Sequence, residues 1–379
     1  MTNIRRMAFL PAALAALLVL MSGCTGSPRS ETIVIPGTAD DRMSGANGQP
    51  FQVKTIYRLP APNGQLLGWT GPEAVLGLSR GSAPSLDTSL QLERLSAPYD
   101  KAEQLRSVDI NTDIFELSPD GRSISGIGKD RSGNFLEDIS VADGTSKSAA
   151  APDGMSWKLY SRSLKWSGNS RYVSFLVAGS ARGQTNIAAY DTQAGTVKTY
   201  PLAGTLRSSG YAQSVVLSDD AGGALIQTED TVMLAKREGS GYRVQYDHPS
   251  GAEQAVWVTN DQFAFLGGDG TLFEYDRRNG ELSVLLEKVG SFRISSDRKV
   301  IAYTQNEKDT IYAGKLQGNN VLYRNVVYQG IVPLQMHWSP GNDALLIEGW
   351  KQYARSEEQS MPSSAAPEAA NQPFIIEFR

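Results

Sequence analysis

The sequence predicts an all-β chain folded as a β-propeller, a ring of repeated four-stranded blades. Three observations carry that prediction. From Phe51 onward, short runs with period-two apolar alternation are separated by turn residues, and no long segment keeps a helical period. A hydrophobic residue or Trp followed by Ser or Thr recurs seven times, at Trp69-Thr70, Leu117-Ser118, Trp166-Ser167, Leu217-Ser218, Val258-Thr259, Ile294-Ser295 and Trp338-Ser339. The hydroxyl residues lie 48, 49, 51, 41, 36 and 44 positions apart, close to the length of a four-stranded blade. Finally, 37 Gly and 18 Pro in 379 residues suit a turn-rich β protein long enough to bury a large core.

Taken in order, residues 1–23 read as a secretory signal peptide. Arg5 and Arg6 form its positive start, and Met7 to Met21 is an apolar run broken by Pro11. That run is short for a transmembrane span. Leu20-Met21-Ser22-Gly23-Cys24 resembles a bacterial lipoprotein signal. The resemblance implies lipidation of Cys24, cleavage before it, and an extracytoplasmic protein anchored to the membrane by lipid. Residues 24–50 are rich in Gly, Ser, Pro, Thr and Asp around one apolar patch, Ile33-Val34-Ile35, and read as a flexible tether. The repeat domain is expected over 51–379.

Within it, Leu117-Ser118-Pro119-Asp120-Gly121-Arg122 shows the turn best. Gly accepts positive φ and Asp bonds its own backbone, so the stretch reads as strand, turn, strand. The third repeat shows the whole unit: strands at 163–167, 171–177, 185–191 and 196–202. The fifth follows at 255–259, 262–266, 271–276 and 281–286, and the sixth at 292–295, 300–305, 310–315 and 321–328. The last repeat offers only three strands, at 335–339, 344–348 and 373–378. Phe51 to Leu59 precedes the first repeat with no blade of its own. The N-terminal strand is therefore expected to pair with the C-terminal blade and close the ring, which removes an exposed edge. The expected count is seven blades, with six or eight as the neighbouring counts. Residues 352–372, rich in Ser, Ala, Pro and Glu, read as a long surface loop. The motif of hydrophobic–Trp–Ser–Pro–Asp–Gly and then a strand ending in Tyr-x-x-Asp resembles the TolB-type propeller repeat. Leu117 to Arg122, Trp166 to Arg171 and Trp338 to Asp343 carry it. The resemblance implies a WD40-like ring that serves protein docking, ligand binding or, when fused to other domains, substrate gating.

Composition narrows the chemistry. Removing the signal leaves 34 basic against 40 acidic residues, which argues against a nucleic-acid partner. One cysteine excludes an internal disulfide framework, and two histidines make a structural zinc site unexpected. Trp69, Trp166 and Trp338 share one repeat position, so they are expected to pack between blades rather than form a binding platform. Asp120, Asp219 and Asp297 are expected as turn residues rather than metal ligands. No Gly-x-Ser-x-Gly elbow occurs, and neither His248, expected in the polar turn Tyr246-Asp247-His248-Pro249, nor His337 has a motif partner for catalysis. Gly126-Ile127-Gly128-Lys129 lacks phosphate-loop spacing, and Gly267-Gly268-Asp269-Gly270 and Asp276-Arg277-Arg278-Asn279-Gly280 read as hairpin turns rather than calcium loops.

No catalytic residue, cofactor or metal is therefore expected. The functional expectation is a monomeric, non-catalytic binding or scaffolding module at the bacterial cell envelope. It would hold the membrane through its lipid and a protein partner through the ring. The alternatives are a hydrolase or lyase with its site at the ring axis, and a sensory lipoprotein for a small ligand.

Overall fold

A computed structural model describes residues 32–34, 50–60, 64–80, 90–108, 112–131, 133–150, 164–179, 184–204, 212–251, 255–350 and 373–379. The signal, Cys24 and the 352–372 segment lie outside the described residues. Every described element is a strand.

The strands follow the repeat closely. The first group is β1 (Thr32–Val34) and β2 (Val53–Arg58), which belong to the last sheet. Next come β3 (Gly64–Gly71), β4 (Ala74–Arg80), β5 (Leu90–Ser96) and β6 (Ala102–Val108) in one sheet. A second holds β7 (Thr112–Leu117), β8 (Ser123–Asp130), β9 (Gly133–Ser140) and β10 (Ser146–Ala150). Then follow β11 (Lys165–Trp166), β12 (Tyr172–Ala178), β13 (Thr185–Asp191) and β14 (Thr196–Ala203). After them come β15 (Ser214–Leu217), β16 (Gly223–Gln227), β17 (Thr231–Glu238) and β18 (Gly241–Pro249). The next sheet is β19 (Ala255–Trp257), β20 (Gln262–Leu266), β21 (Leu272–Asp276) and β22 (Glu281–Leu286). It is followed by β23 (Val289–Ile294), β24 (Val300–Gln305), β25 (Glu307–Gln317) and β26 (Asn320–Gln329). The chain ends in β27 (Val332–Trp338), β28 (Ala344–Trp350) and β29 (Phe374–Phe378).

The closing strand behaves as the sequence predicts. β2 pairs antiparallel with β29, placing Ile56 opposite Ile376 and Arg58 opposite Phe374. Lys54 Nζ lies 2.6 Å from Glu377 Oε1 across the pair, and Phe51 packs against Trp338 and Phe378. The chain's two ends thus share one sheet.

Two features differ from expectation. Instead of seven separate four-stranded sheets, the strands form six: four of four strands, one of five and one of eight. The eight-stranded sheet exists because the outer strands β14 and β18 meet in parallel over two residues, with Leu202 opposite Tyr242 and Ala203 opposite Arg243. Gly241 permits that approach, since a Cβ there would sit 2.6 Å from the Pro201 carbonyl oxygen. The fifth strand of the last sheet is β1, which falls inside the expected tether and pairs with β2, Ile33 opposite Ile56.

The apolar core is divided around the ring. Among the described residues there are seven clusters of buried side chains, each straddling two successive strand groups. One cluster places Leu176 and Ile187 of β12–β13 against Val215, Ile226 and Met233 of β15–β17. The two halves of the eight-stranded sheet therefore pack face against face, as neighbouring sheets do elsewhere in the ring. Burial of both faces accompanies this: in β12 the run Val173 to Val177 is buried throughout, because a strand inside a ring is covered on both faces.

Candidate functional site

The first strand of each group, β3, β7, β11, β15, β19, β23 and β27, lines one axial cavity of about 600 Å³. How these strands are held explains what they present. Each expected anchor tryptophan is buried, and its indole N–H donates to a backbone carbonyl on the preceding axial strand. Trp69 donates to His337 O at 2.8 Å, Trp166 to Glu116 O at 3.1 Å, and Trp338 to Arg293 O at 3.1 Å. A fourth, Trp257, donates to Val216 O at 3.0 Å and was not among the sequence anchors. The expected placement of the tryptophans between strand groups is what the contacts show.

After six of the seven axial strands the turn is built on the anchor's hydroxyl, the exception being Thr70, whose hydroxyl donates to the Gly121 carbonyl of the next group at 2.8 Å. Ser118 Oγ donates to Asp120 Oδ1 at 2.6 Å and accepts from Ser123 N at 2.9 Å, and Ser295 with Asp297 repeats the pattern. Gly121, at φ 71°, lies so close to the Trp69 carbonyl that a Cβ would stand 2.4 Å from it. Asp219 needs correction. The residue bonded to Ser218 is Asp220, and Asp219 occupies the position held elsewhere by Pro119, Gly168, Ser296 and Pro340. Its carboxylate is therefore free to reach sideways. It accepts from Asn169 N at 2.8 Å and from the Arg298 guanidinium at 2.7 Å, tying three turns together at one end of the cavity. Both partners have side chains only 21% exposed, so solvent screens this pair less than an ordinary surface bridge.

One layer of the cavity is made by the residue just before each anchor, except in β19, where it is the residue before Trp257. In chain order it reads Gly68, Glu116, Lys165, Val216, Val256, Arg293 and His337, and all seven line the cavity. The carbonyls of Glu116, Val216, Arg293 and His337 are the four that the tryptophans hold. Side chains alternate along a strand, so the indole enters the core and its neighbour enters the channel.

The layer is electrically uneven. Lys165 Nζ and Glu116 Oε1 pair at 3.0 Å. On the other side, Arg293 Nη2 lies 3.5 Å from His337 Nδ1, and His337 Nε2 lies 3.2 Å from Gln335 Oε1. A neutral imidazole carrying its proton on Nε2 satisfies both contacts, accepting from the arginine and donating to the glutamine. Enclosure by the ring, then Arg293, then Lys165 push the His337 pKa well below its ordinary value. Enclosure likewise lowers the Arg293 pKa, with Glu116 opposing.

The remaining sequence candidates lie elsewhere. His248 is in strand β18 rather than a turn, with Nδ1 2.7 Å from Pro249 O and its ring against Phe265 and Phe273. Gly126 to Lys129 lies within β8. Asp269 and Asp276 close hairpin turns, accepting from Thr271 N and Arg278 N. Among the described residues no three His, Cys, Asp or Glu side chains gather as a metal would need. Lys165, Glu116, Arg293 and Arg298 were not singled out from sequence. The signal that could have found them is position: each falls beside a repeat landmark yet breaks the repeat's chemistry.

No protein-family model matches this chain, and no curated protein matches it in sequence. Solved structures do resemble it. An oligogalacturonate lyase in complex with manganese superposes with a TM-score of 0.58 at 10% identity, covering 93% of this chain and 98% of that one. A chain of the Mitotic Checkpoint Complex gives 0.53 at 14% identity, covering 90% and 97%. The C-terminal WD40 domain of Sif2 gives 0.48 at 12% identity, covering 87% and 93%. At these identities the likeness is one of fold. The chain is an all-β propeller, and the solved structures it resembles include a lyase and a chain of the Mitotic Checkpoint Complex.

Proposed function

We propose that this chain is a lipid-anchored, extracytoplasmic propeller of seven blades that works as a non-catalytic binding or scaffolding module at a bacterial cell envelope. The seven-blade reading takes the two halves of the eight-stranded sheet as separate blades. It draws on their separate axial strands and on the seven clusters of the core. The TolB-type character and the lipid anchor draw on the Ser-Pro-Asp-Gly repeat and on Leu20 to Cys24. If Cys24 is lipidated, β1 limits the reach of the anchor: the eight steps to Thr32 span at most about 29 Å. The ring's closing sheet would then stay near the bilayer, which raises the local concentration of membrane partners.

The observation that carries the binding function is the axial layer. The frame repeats, but Glu116, Lys165, Arg293 and His337 do not, and they meet in one cavity. The test is cross-linking of the native lipoprotein in intact cells, with Cys24→Ala as the mislocalised control. A specific envelope protein lost in the control is the expected result. Capture no higher than background would sink the reading.

A second reading, a lyase, draws only on the fold-wide likeness to the manganese-bound oligogalacturonate lyase. Cleavage of oligogalacturonate by the purified protein with added manganese would favour it.

A further inference from the structure

We propose that the axial channel holds one carboxylate group on the Arg293 guanidinium, and that the ligand is a small carboxylic acid with a partly apolar body. The inference names the ligand class of the channel and rests on the channel being the binding site.

The charges decide the class. Three cations line the cavity, and two are already paired: Lys165 with Glu116 at 3.0 Å and Arg298 with Asp219 at 2.7 Å. Among the described residues no carboxylate bridges Arg293, whose guanidinium meets the neutral His337 ring at 3.5 Å. The channel therefore carries one uncompensated positive charge. A monoanion neutralises it, whereas the second charge of a phosphate would find no partner. A guanidinium presents a flat fork of N–H donors that matches the two oxygens of a carboxylate.

The surroundings fit a ligand that is more than the acid group. Leu334, 51% exposed, and Val256 supply apolar wall in the same cavity, while Gln335 and Ser291 supply hydrogen-bonding groups. A cavity of about 600 Å³ is within the usual range for small-molecule sites. The Trp338 indole fixes the Arg293 carbonyl, so the guanidinium springs from a held backbone rather than a loop.

The probe is benzoate, with benzamide as its uncharged counterpart and inorganic phosphate as the multiply charged one. Binding is read by ligand-observed NMR on the detergent-solubilised full-length protein. Benzoate is expected to bind, benzamide to show no binding, and phosphate to bind more weakly than benzoate. Arg293→Gln should weaken benzoate at least about tenfold. Arg293→Lys, which keeps the charge and loses the fork, should fall between the two. Thermal unfolding establishes that both variants fold. No benzoate binding up to about 50 mM, equal binding of benzamide, tighter binding of phosphate, or an undiminished Arg293→Gln each overturns the proposal. Envelope cross-linking separates the two readings. Partner capture that persists while benzoate fails removes the carboxylate site alone, and capture lost in the wild type removes the binding module itself.

Discussion

Trp166 and Lys165 are neighbours on one strand, as are Trp338 and His337, and Trp257 and Val256. Both members border the channel, but the tryptophan of each pair is buried between strand groups whereas its neighbour is only partly buried. The buried set repeats: four tryptophans make the same hydrogen bond to the same position of the preceding strand. The channel set does not repeat, running from Gly68 through an acid, a lysine and two valines to an arginine and a histidine. Seven equivalent positions under the same packing demand would converge on similar residues. Val216 and Val256 still pack against core clusters, but Glu116, Lys165, Arg293 and His337 answer to no shared packing demand, which is why the site is placed there.

The contrast can be broken from the packing side first. Trp338→Ala should destabilise by about 3–5 kcal/mol, measured by urea unfolding, through the cavity and the lost bond to Arg293 O. Gly121→Ala should cost about 1–3 kcal/mol, because its φ is 71° and the new Cβ would collide with the Trp69 carbonyl. Asp219→Ala should cost about 2 kcal/mol by unbinding Asn169 N and leaving Arg298 unpaired at the channel end.

The channel side should respond differently. Lys165→Gln should change stability by under about 1 kcal/mol, because the Glu116 pair is exposed to channel solvent. His337 sharpens the point through pH. Its folded-state pKa is lowered, so between that value and about 6.5 the unfolded chain binds more protons than the folded one. Stability should therefore fall as pH drops through that window, and His337→Gln should flatten the slope. Unfolding curves at pH 7, 6 and 5 for the two proteins test this, and equal slopes would contradict the assignment.

The same division decided how far the sequence could be read. Repeated features left a pattern: the hydroxyl anchors located the axial strands, and the orphan segment at 51–59 located the closing pair with β29. Errors arose where a repeat slipped by one residue. In β19 the turn closes early, Thr259 N bonding Gln262 O, whereas Ser118 N reaches Ser123 O. The hydroxyl consequently sits two places past Trp257, and aligning on it hid the fourth tryptophan. Asp219 was placed in the wrong position because Ser218 is followed by two aspartates, and only geometry shows that Asp220 serves the turn. The join of β14 to β18 left no periodic mark, since it rests on a two-residue contact beside Gly241. The channel layer was hidden for a deeper reason: Glu116, Lys165, Arg293 and His337 are far apart in sequence, and only ring closure makes them neighbours.

The central claim is that binding belongs to the channel and not to the ring's rim. Leu334 in the channel and Val284 on the rim strand β22 are matched in exposure at 51% and 52%, so a photo-reactive benzoylphenylalanine can replace either. Each would be irradiated in intact cells and the protein's mass adducts recorded. The account predicts a discrete adduct from position 334 and none from 284. A discrete adduct from 284 with none from 334 would contradict it.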